Sequence, residues 1–201
     1  MKILVTGGNG QLASEIKKIS LKYNYKWLFT SHEEFDLFDV KKINISLDKI
    51  NPKLIINCAA FTSVIDAEDN FELANLLNHM SIKFIAKWCN HNNCKLIHIS
   101  SDYVYDGNSN KPINEDAPTN PINNYGKTKL LGDIACGIMN PDSIIIRTSC
   151  LYSSFGNNFV KKMISLMNQE NQINVINDQT GSPTYAVDLA QTIMDIINFN
   201  N

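Results

Sequence analysis

The opening of the chain limits its fold more than any other stretch. Lys2-Ile3-Leu4-Val5-Thr6 is an apolar run of strand length. It stops at Gly7-Gly8-Asn9-Gly10-Gln11-Leu12-Ala13, after which Leu12, Ile16 and Ile19 recur at helical spacing. Strand, glycine turn and helix in that order are the unit that cradles a dinucleotide. Gly7 permits the tight turn, Gly10 lets the backbone approach a pyrophosphate, and the free amides of the helix start attract its charge. A glycine fingerprint is weak evidence alone, and its position directly after the first strand strengthens it.

The same alternation continues. Residues 25–30 read as a second strand; Asp36-Leu37-Phe38-Asp39 follows a further short strand and leads into a helix over 40–50. Residues 52–60 read as a buried parallel strand ending in the small residues Cys58, Ala59 and Ala60, against which a flat cofactor can lie. Residues 70–90 have the pattern of one long amphipathic helix, with Leu73, Leu76, Leu77, Met80, Phe84, Ile85 and Trp88 on the buried face. Asn78 interrupts that face, and either satisfies a backbone group or holds a water near the site. A strand over 95–99 delivers Ser100-Ser101-Asp102-Tyr103 to the sheet edge, where ligands of open parallel sheets sit. Then come a polar surface loop over 108–124, a helix over 125–138, a strand over 143–148, a helix over 157–169, a short strand over 173–176, a loop, and a last helix over 187–199. Strands alternating with helices predict an α/β, Rossmann-type, right-handed doubly wound parallel sheet.

Composition narrows the class. With 201 residues, 44% hydrophobic and 19% charged, residues 1–201 are expected to form one NAD(P)-binding Rossmann domain around a sizeable core. A net charge of −2 gives no basic field for nucleic acid, and no stretch approaches a membrane span. Cys58, Cys89, Cys94, Cys136 and Cys150 make no Cys-x-x-Cys pair, and the four histidines have no ligand spacing, so reduced thiols, no metal and a cytoplasmic location are expected.

The chemistry concentrates in Tyr125-Gly126-Lys127-Thr128-Lys129. Residues four apart share a helix face, so Tyr125 and Lys129 are expected side by side. A free tyrosine titrates near pH ~10, and lowering it by about 3 units takes about 4 kcal/mol. A lysine charge ~4 Å away supplies a term of that order. On this reading Lys129 tunes Tyr125 into a general acid, and the Ser101 hydroxyl donates to a carbonyl. The second strand ends Thr30-Ser31-His32 without the carboxylate that binds a ribose 2′-hydroxyl, which leaves room for a 2′-phosphate and inclines the choice between NADH and NADPH to NADPH.

These residues together resemble the dTDP-4-dehydrorhamnose reductase family of the extended short-chain dehydrogenase/reductase superfamily. The likeness also rests on Asn57-Cys58-Ala59-Ala60-Phe61-Thr62, Arg147-Thr148-Ser149, Gly156-Asn157-Asn158-Phe159 and Asp178-Gln179-Thr180-Gly181-Ser182-Pro183-Thr184, in the family's order. The resemblance implies reduction of a nucleotide-linked 4-keto-6-deoxy sugar with NADPH or NADH. It puts Gly10, Gln11 and Leu12 at the dinucleotide phosphates, Asp36 and Leu37 at the adenosine end, and Ala59, Ala60 and Phe61 at the middle of the cofactor. Ser101 and Asp102 meet the sugar, Tyr125 donates the proton, and Lys129 lowers its pKa and binds the nicotinamide ribose.

Several residues depart from the family pattern. Ala13 stands at the third glycine position, Ser101 replaces a threonine, and Ile65-Asp66 replaces an acid-base pair. Cys150 stands where a substrate-packing tryptophan is expected, so a UDP-linked sugar is open beside a dTDP-linked one. The family's smaller carboxyl-terminal substrate lobe is expected to be largely missing, to be supplied by a homodimer or a partner chain. Two other readings are a non-catalytic NAD(P)-binding regulatory subunit or fragment on the same scaffold, and an epimerase or dehydratase of the same superfamily.

Overall fold

The computed structural model describes residues 1–109 and 111–199. Strand β1 (Lys2–Thr6) lies inside a five-stranded sheet with β2 (Lys26–Thr30), β3 (Leu54–Asn57), β4 (Lys95–Ser101) and β5 (Ile144–Thr148), in the order β2-β1-β3-β4-β5. Every pairing is parallel. The chain moves outward from β1 to β2, then returns across β1 to β3 on its other side. The switch point is therefore the crevice between the carboxyl ends of β1 and β3, where open α/β sheets bind ligands. β1 and β3 read as unbroken apolar runs because helices cover both their faces; all four residues of β3 are buried.

On one face α1 (Gln11–Ser20) packs with α8 (Ala186–Phe199) over Ile3, Val5 and Ile56. On the other, α2 (Val40–Ile50), α5 (Ser81–His91) and α6 (Asn124–Met139) cover Leu4, Ile55 and Leu96, with Ile43, Leu47, Ile85 and Trp88 filling the layer. Asp39 precedes α2 but makes no side-chain cap, and instead pairs with Lys42 at 2.8 Å. Among the described residues no helix is long and apolar enough to cross a membrane.

Four sequence expectations change. No further strand lies between β2 and Asp36: residues 31–39 form turns, with Asp36 Oδ1 accepting from Phe38 N at 2.8 Å. The helix expected over 70–90 is three pieces, α4 (Phe71–Asn75), a π-helical turn (Leu76–Met80) and α5, after the short α3 (Asp66–Asp69). The π turn carries an extra residue and rotates the face before it, so Leu73 is 38% exposed instead of buried. Residues 173–176 are irregular and mostly exposed instead of forming a strand, because no neighbouring strand takes their backbone bonds. A small parallel pair, β6 (Leu151–Tyr152) with β7 (Thr184–Tyr185), stands instead near the end of the chain, its Tyr152 and Tyr185 rings stacked at 5.2 Å. Between them runs α7 (Phe159–Gln169), whose apolar spacing is clear although none of its residues is buried.

Candidate active site at the carboxyl edge of the sheet

The glycine turn forms the floor of the crevice. Gly7 sits at φ +67°, and a Cβ there would meet Ala59 N at 2.8 Å, so only glycine fits. Gly10 N donates to Gly7 O at 2.8 Å and Gly8 N to Thr30 O at 2.8 Å, which closes the turn onto β2. Thr6 Oγ1 donates to Asn57 Oδ1 at 2.7 Å and accepts from Ala59 N at 3.4 Å, locking the two strand ends together. α1 begins with no side-chain cap and no acidic residue in its first turn, so its leading N–H groups face outward with a positive field. These features fit a dinucleotide phosphate.

A second loop rests on this turn. Asn158 Nδ2 donates to Gln11 Oε1 at 2.9 Å, and Ser153 Oγ donates to the buried Glu15 Oε1 at 2.6 Å. Asn158 and Gln11 stand 147 residues apart, so their bond leaves no local signal in the sequence. Leu12 is buried in the core, and so is Leu37, whose side chain therefore cannot line a cofactor; its backbone alone remains available. Asp36 is exposed beside it, 4.0 Å from His32.

Ala59, Ala60 and Phe61 are half-buried past the end of β3. Asn78, in the π turn, clasps Phe61 by both main-chain groups: its Oδ1 accepts from Phe61 N at 2.9 Å and its Nδ2 donates to Phe61 O at 3.1 Å. The same amide reaches Thr128 Oγ1 at 3.1 Å. Of the two roles open from the sequence, Asn78 thus takes the backbone one. Asn78→Leu is expected to cost about 1–3 kcal/mol, because two backbone groups lose their partner. The check is the midpoint of urea unfolding, which falls at unchanged slope.

Ser101 closes β4. Its hydroxyl donates to Asp102 Oδ1 at 3.2 Å and accepts from Tyr103 N at 3.2 Å, while Ser149 Oγ holds Asp102 Oδ2 at 2.6 Å. Tyr125 lies in the first turn of α6, where Asn123 Oδ1 caps Gly126 N at 2.7 Å. The phenol lies within electrostatic reach of the Ser101 hydroxyl, and the Tyr103 ring stands edge-on to Tyr125 at 5.4 Å. Serine hydroxyl and carboxylate form one chain, with the phenol beside it. Tyr103 and Ser149 belong to this cluster and were not singled out from the sequence, because an aromatic and a serine in a loop are too common to signify.

Lys129 corrects the sequence reading. It is 1% exposed, and its ammonium donates to Ile99 O at 2.7 Å. Helical spacing aligns the Cβ atoms of Tyr125 and Lys129, but the long stem turns to the sheet while the phenol turns to Ser101. Burial, then Asp102, Tyr103 and Asp133, push the phenol above its ordinary pKa, against the smaller opposing effect of the Ser101 hydroxyl. Burial lowers Lys129 to about 8. Cys150 is exposed at φ 45°, its Sγ 3.3 Å from where a Gly181 Cβ would stand, so it lies against the 178–184 loop.

A doubly wound parallel sheet with a glycine turn at its switch point, and a serine and tyrosine side by side above β4, is the architecture of an extended short-chain dehydrogenase/reductase. The profile of the RmlD substrate binding domain matches residues 1–201, and the chain belongs to that family, the dTDP-4-dehydrorhamnose reductases. It is 40% identical over 193 residues to a dTDP-4-dehydrorhamnose reductase of Salmonella typhimurium, covering 94% of this chain and 64% of that one. The crystal structure of such a reductase from Clostridium acetobutylicum superposes with a TM-score of 0.95 at 39% identity, over 98% of this chain and 70% of the other. One from Bacillus anthracis, in complex with NADP, superposes at 0.94 and 34% identity with the same coverage. The chain thus spans about two thirds of the length of these relatives.

Proposed function

We propose that this protein reduces a nucleotide-linked 4-keto-6-deoxy sugar, dTDP-4-dehydrorhamnose or a UDP-linked analogue, with NADPH. The observation that carries the reading is the Tyr125–Ser101 pair above β4, beside a glycine cradle that admits no side chain. Bound in that cradle, the reduced nicotinamide supplies the hydride. Gly7, Gly10, Gln11 and the amides before Leu12 hold the phosphates, Asp36 and the Leu37 backbone the adenosine end, Ala59, Ala60 and Phe61 the middle, and Lys129 the ribose. Ser101 polarises the ketone oxygen and Tyr125 protonates it as negative charge develops. Asp102 and Cys150 meet the sugar. A phenol held above its ordinary pKa is fully protonated near neutrality, which suits a proton donor in the reducing direction. NADPH is preferred because β2 ends in Thr30-Ser31-His32, with no carboxylate to repel a 2′-phosphate, and because the Bacillus anthracis relative is described with NADP. A cytoplasmic location accords with five free cysteines.

The test is to follow nicotinamide absorbance with dTDP- and UDP-linked 4-keto-6-deoxy sugars, and cofactor binding separately by calorimetry. Oxidation with either sugar is the expected result. Cofactor binding without turnover would overturn catalysis by this chain. It would leave a non-catalytic NAD(P)-binding subunit, or a portion of a larger reductase. No cofactor binding would remove both.

A further inference from the structure

A line of buried polar groups crosses the sheet beneath the site. Thr6 Oγ1 donates to Asn57 Oδ1, so the Asn57 amide nitrogen is the donor in its 3.1 Å contact with His98 Nδ1. His98 Nδ1 must then accept, and the ring proton sits on Nε2. That nitrogen points across 3.9 Å to Asp133 Oδ1, and neither atom has a hydrogen-bond partner. The other carboxylate oxygen, Oδ2, accepts from Arg147 Nε at 3.1 Å, and Arg147 Nη1 continues to Tyr105 Oη at 2.8 Å. Asp133 lies four residues beyond Lys129 on the buried face of α6, and both side chains are almost wholly excluded from water.

A lysine ammonium without water needs both hydrogen-bond acceptors and a countercharge. The Ile99 carbonyl is one acceptor, and its dipole alone leaves most of the charge unbalanced. The groups around Lys129 supply one candidate countercharge. On its own helix stand Tyr125 and Asp133; from the end of β3 comes Cys58, whose thiol burial pushes up to about 12, so it is neutral. From β4 comes His98, held neutral by burial and by the Lys129 charge. Arg147 of β5 is positive and reaches Lys129 only through Asp133. We propose that Asp133 is the positioning residue that keeps Lys129 charged and seated on the Ile99 carbonyl, with Arg147 bonded to one of its carboxylate oxygens and His98 facing the other across 3.9 Å. This rests on Lys129 serving the cofactor, as in the function proposed above.

The sign of the pH effect follows from the direction of the lysine shift. Burial lowers Lys129 from 10.5 to about 8, so its charge penalises the fold fully below 8, and that penalty fades as pH rises toward 10.5. Asp133 opposes the lowering. In Asp133→Asn the pH at which the fold begins to gain stability should therefore move down by about one unit or more. Urea unfolding from pH 6 to 10 reads it. Lys129→Met should abolish the shift, and Asp133→Asn/Lys129→Met should be more stable near neutrality than Asp133→Asn alone, because no unpaired ammonium remains. That double variant also keeps the test open if Asp133→Asn does not fold. Strictly additive effects, or an unmoved pH profile, overturn the proposal. NADPH titration of Lys129→Met answers separately for the function: unchanged affinity removes the lysine's role at the cofactor and leaves the unfolding result standing.

Discussion

Tyr125→Phe is expected to lower turnover of the keto sugar by about 10²–10⁴-fold, the range a positioned general acid supplies, while NADPH affinity stays the same. The substitution removes one oxygen. The ring keeps its edge-on contact with Tyr103, and Gly126 keeps its cap from Asn123, so α6 should start where it does now. What disappears is the proton source beside Ser101. Ser101 remains to polarise the carbonyl, which sets a floor to the loss. The readouts are steady-state kinetics and a cofactor titration on the same preparation. A variant that turns over at the parent rate would show that the proton comes from elsewhere, and would leave Ser101 and Asp102 as a substrate clamp without an acid.

What the sequence disclosed, and what it hid, divides along a physical line. β1 and β3 were legible because strands covered on both faces must be apolar throughout, and Gly7 because no other residue fits against Ala59. The positions of Ser101 and Tyr125 followed, since strand ends and helix starts fix where a Cα stands. Side-chain direction did not follow. Lys129 shares a helix face with Tyr125, yet its stem is long enough to choose between the phenol and the sheet, and the Ile99 carbonyl decides the choice. The π turn was equally hidden, because a one-residue insertion leaves composition unchanged and alters only the phase, as Leu73 shows. In α7 the periodicity of Phe159, Ile164 and Met167 gave the helix but says nothing of what meets that face. Bonds between distant segments, such as Asn158 to Gln11 and Ser149 to Asp102, lie outside any local pattern.

Gly132→Ala is expected to damage the fold strongly although it adds a single methyl. An added Cβ at Gly132 would stand 2.1 Å from the Asn78 carbonyl oxygen, well inside any tolerated contact. Both groups are backbone, so no rotamer change relieves the clash, and α6 must move away from the π turn. That movement pulls on Asn78, whose amide holds Phe61 and Thr128, and it carries Tyr125 and Lys129 away from Ser101 and Ile99 together. Against this, alanine is favoured over glycine within a helix by about 1 kcal/mol. Overpacking in a closed core costs about 1–3 kcal/mol and more where backbone meets backbone, so a net loss of about 2 kcal/mol or more remains. For a chain of this size that is a fall in melting temperature on the order of 5 °C or more. Gly137 is the control in the same helix, because a Cβ there meets nothing within 4 Å. Gly137→Ala should therefore hold or raise the melting temperature through helix propensity alone. If the two variants melt alike, α6 and the π turn do not cross at backbone contact. The Asn78 clamp would then be too loose to aim the tyrosine, since a helix free to accept a methyl at that crossing is also free to slide along it.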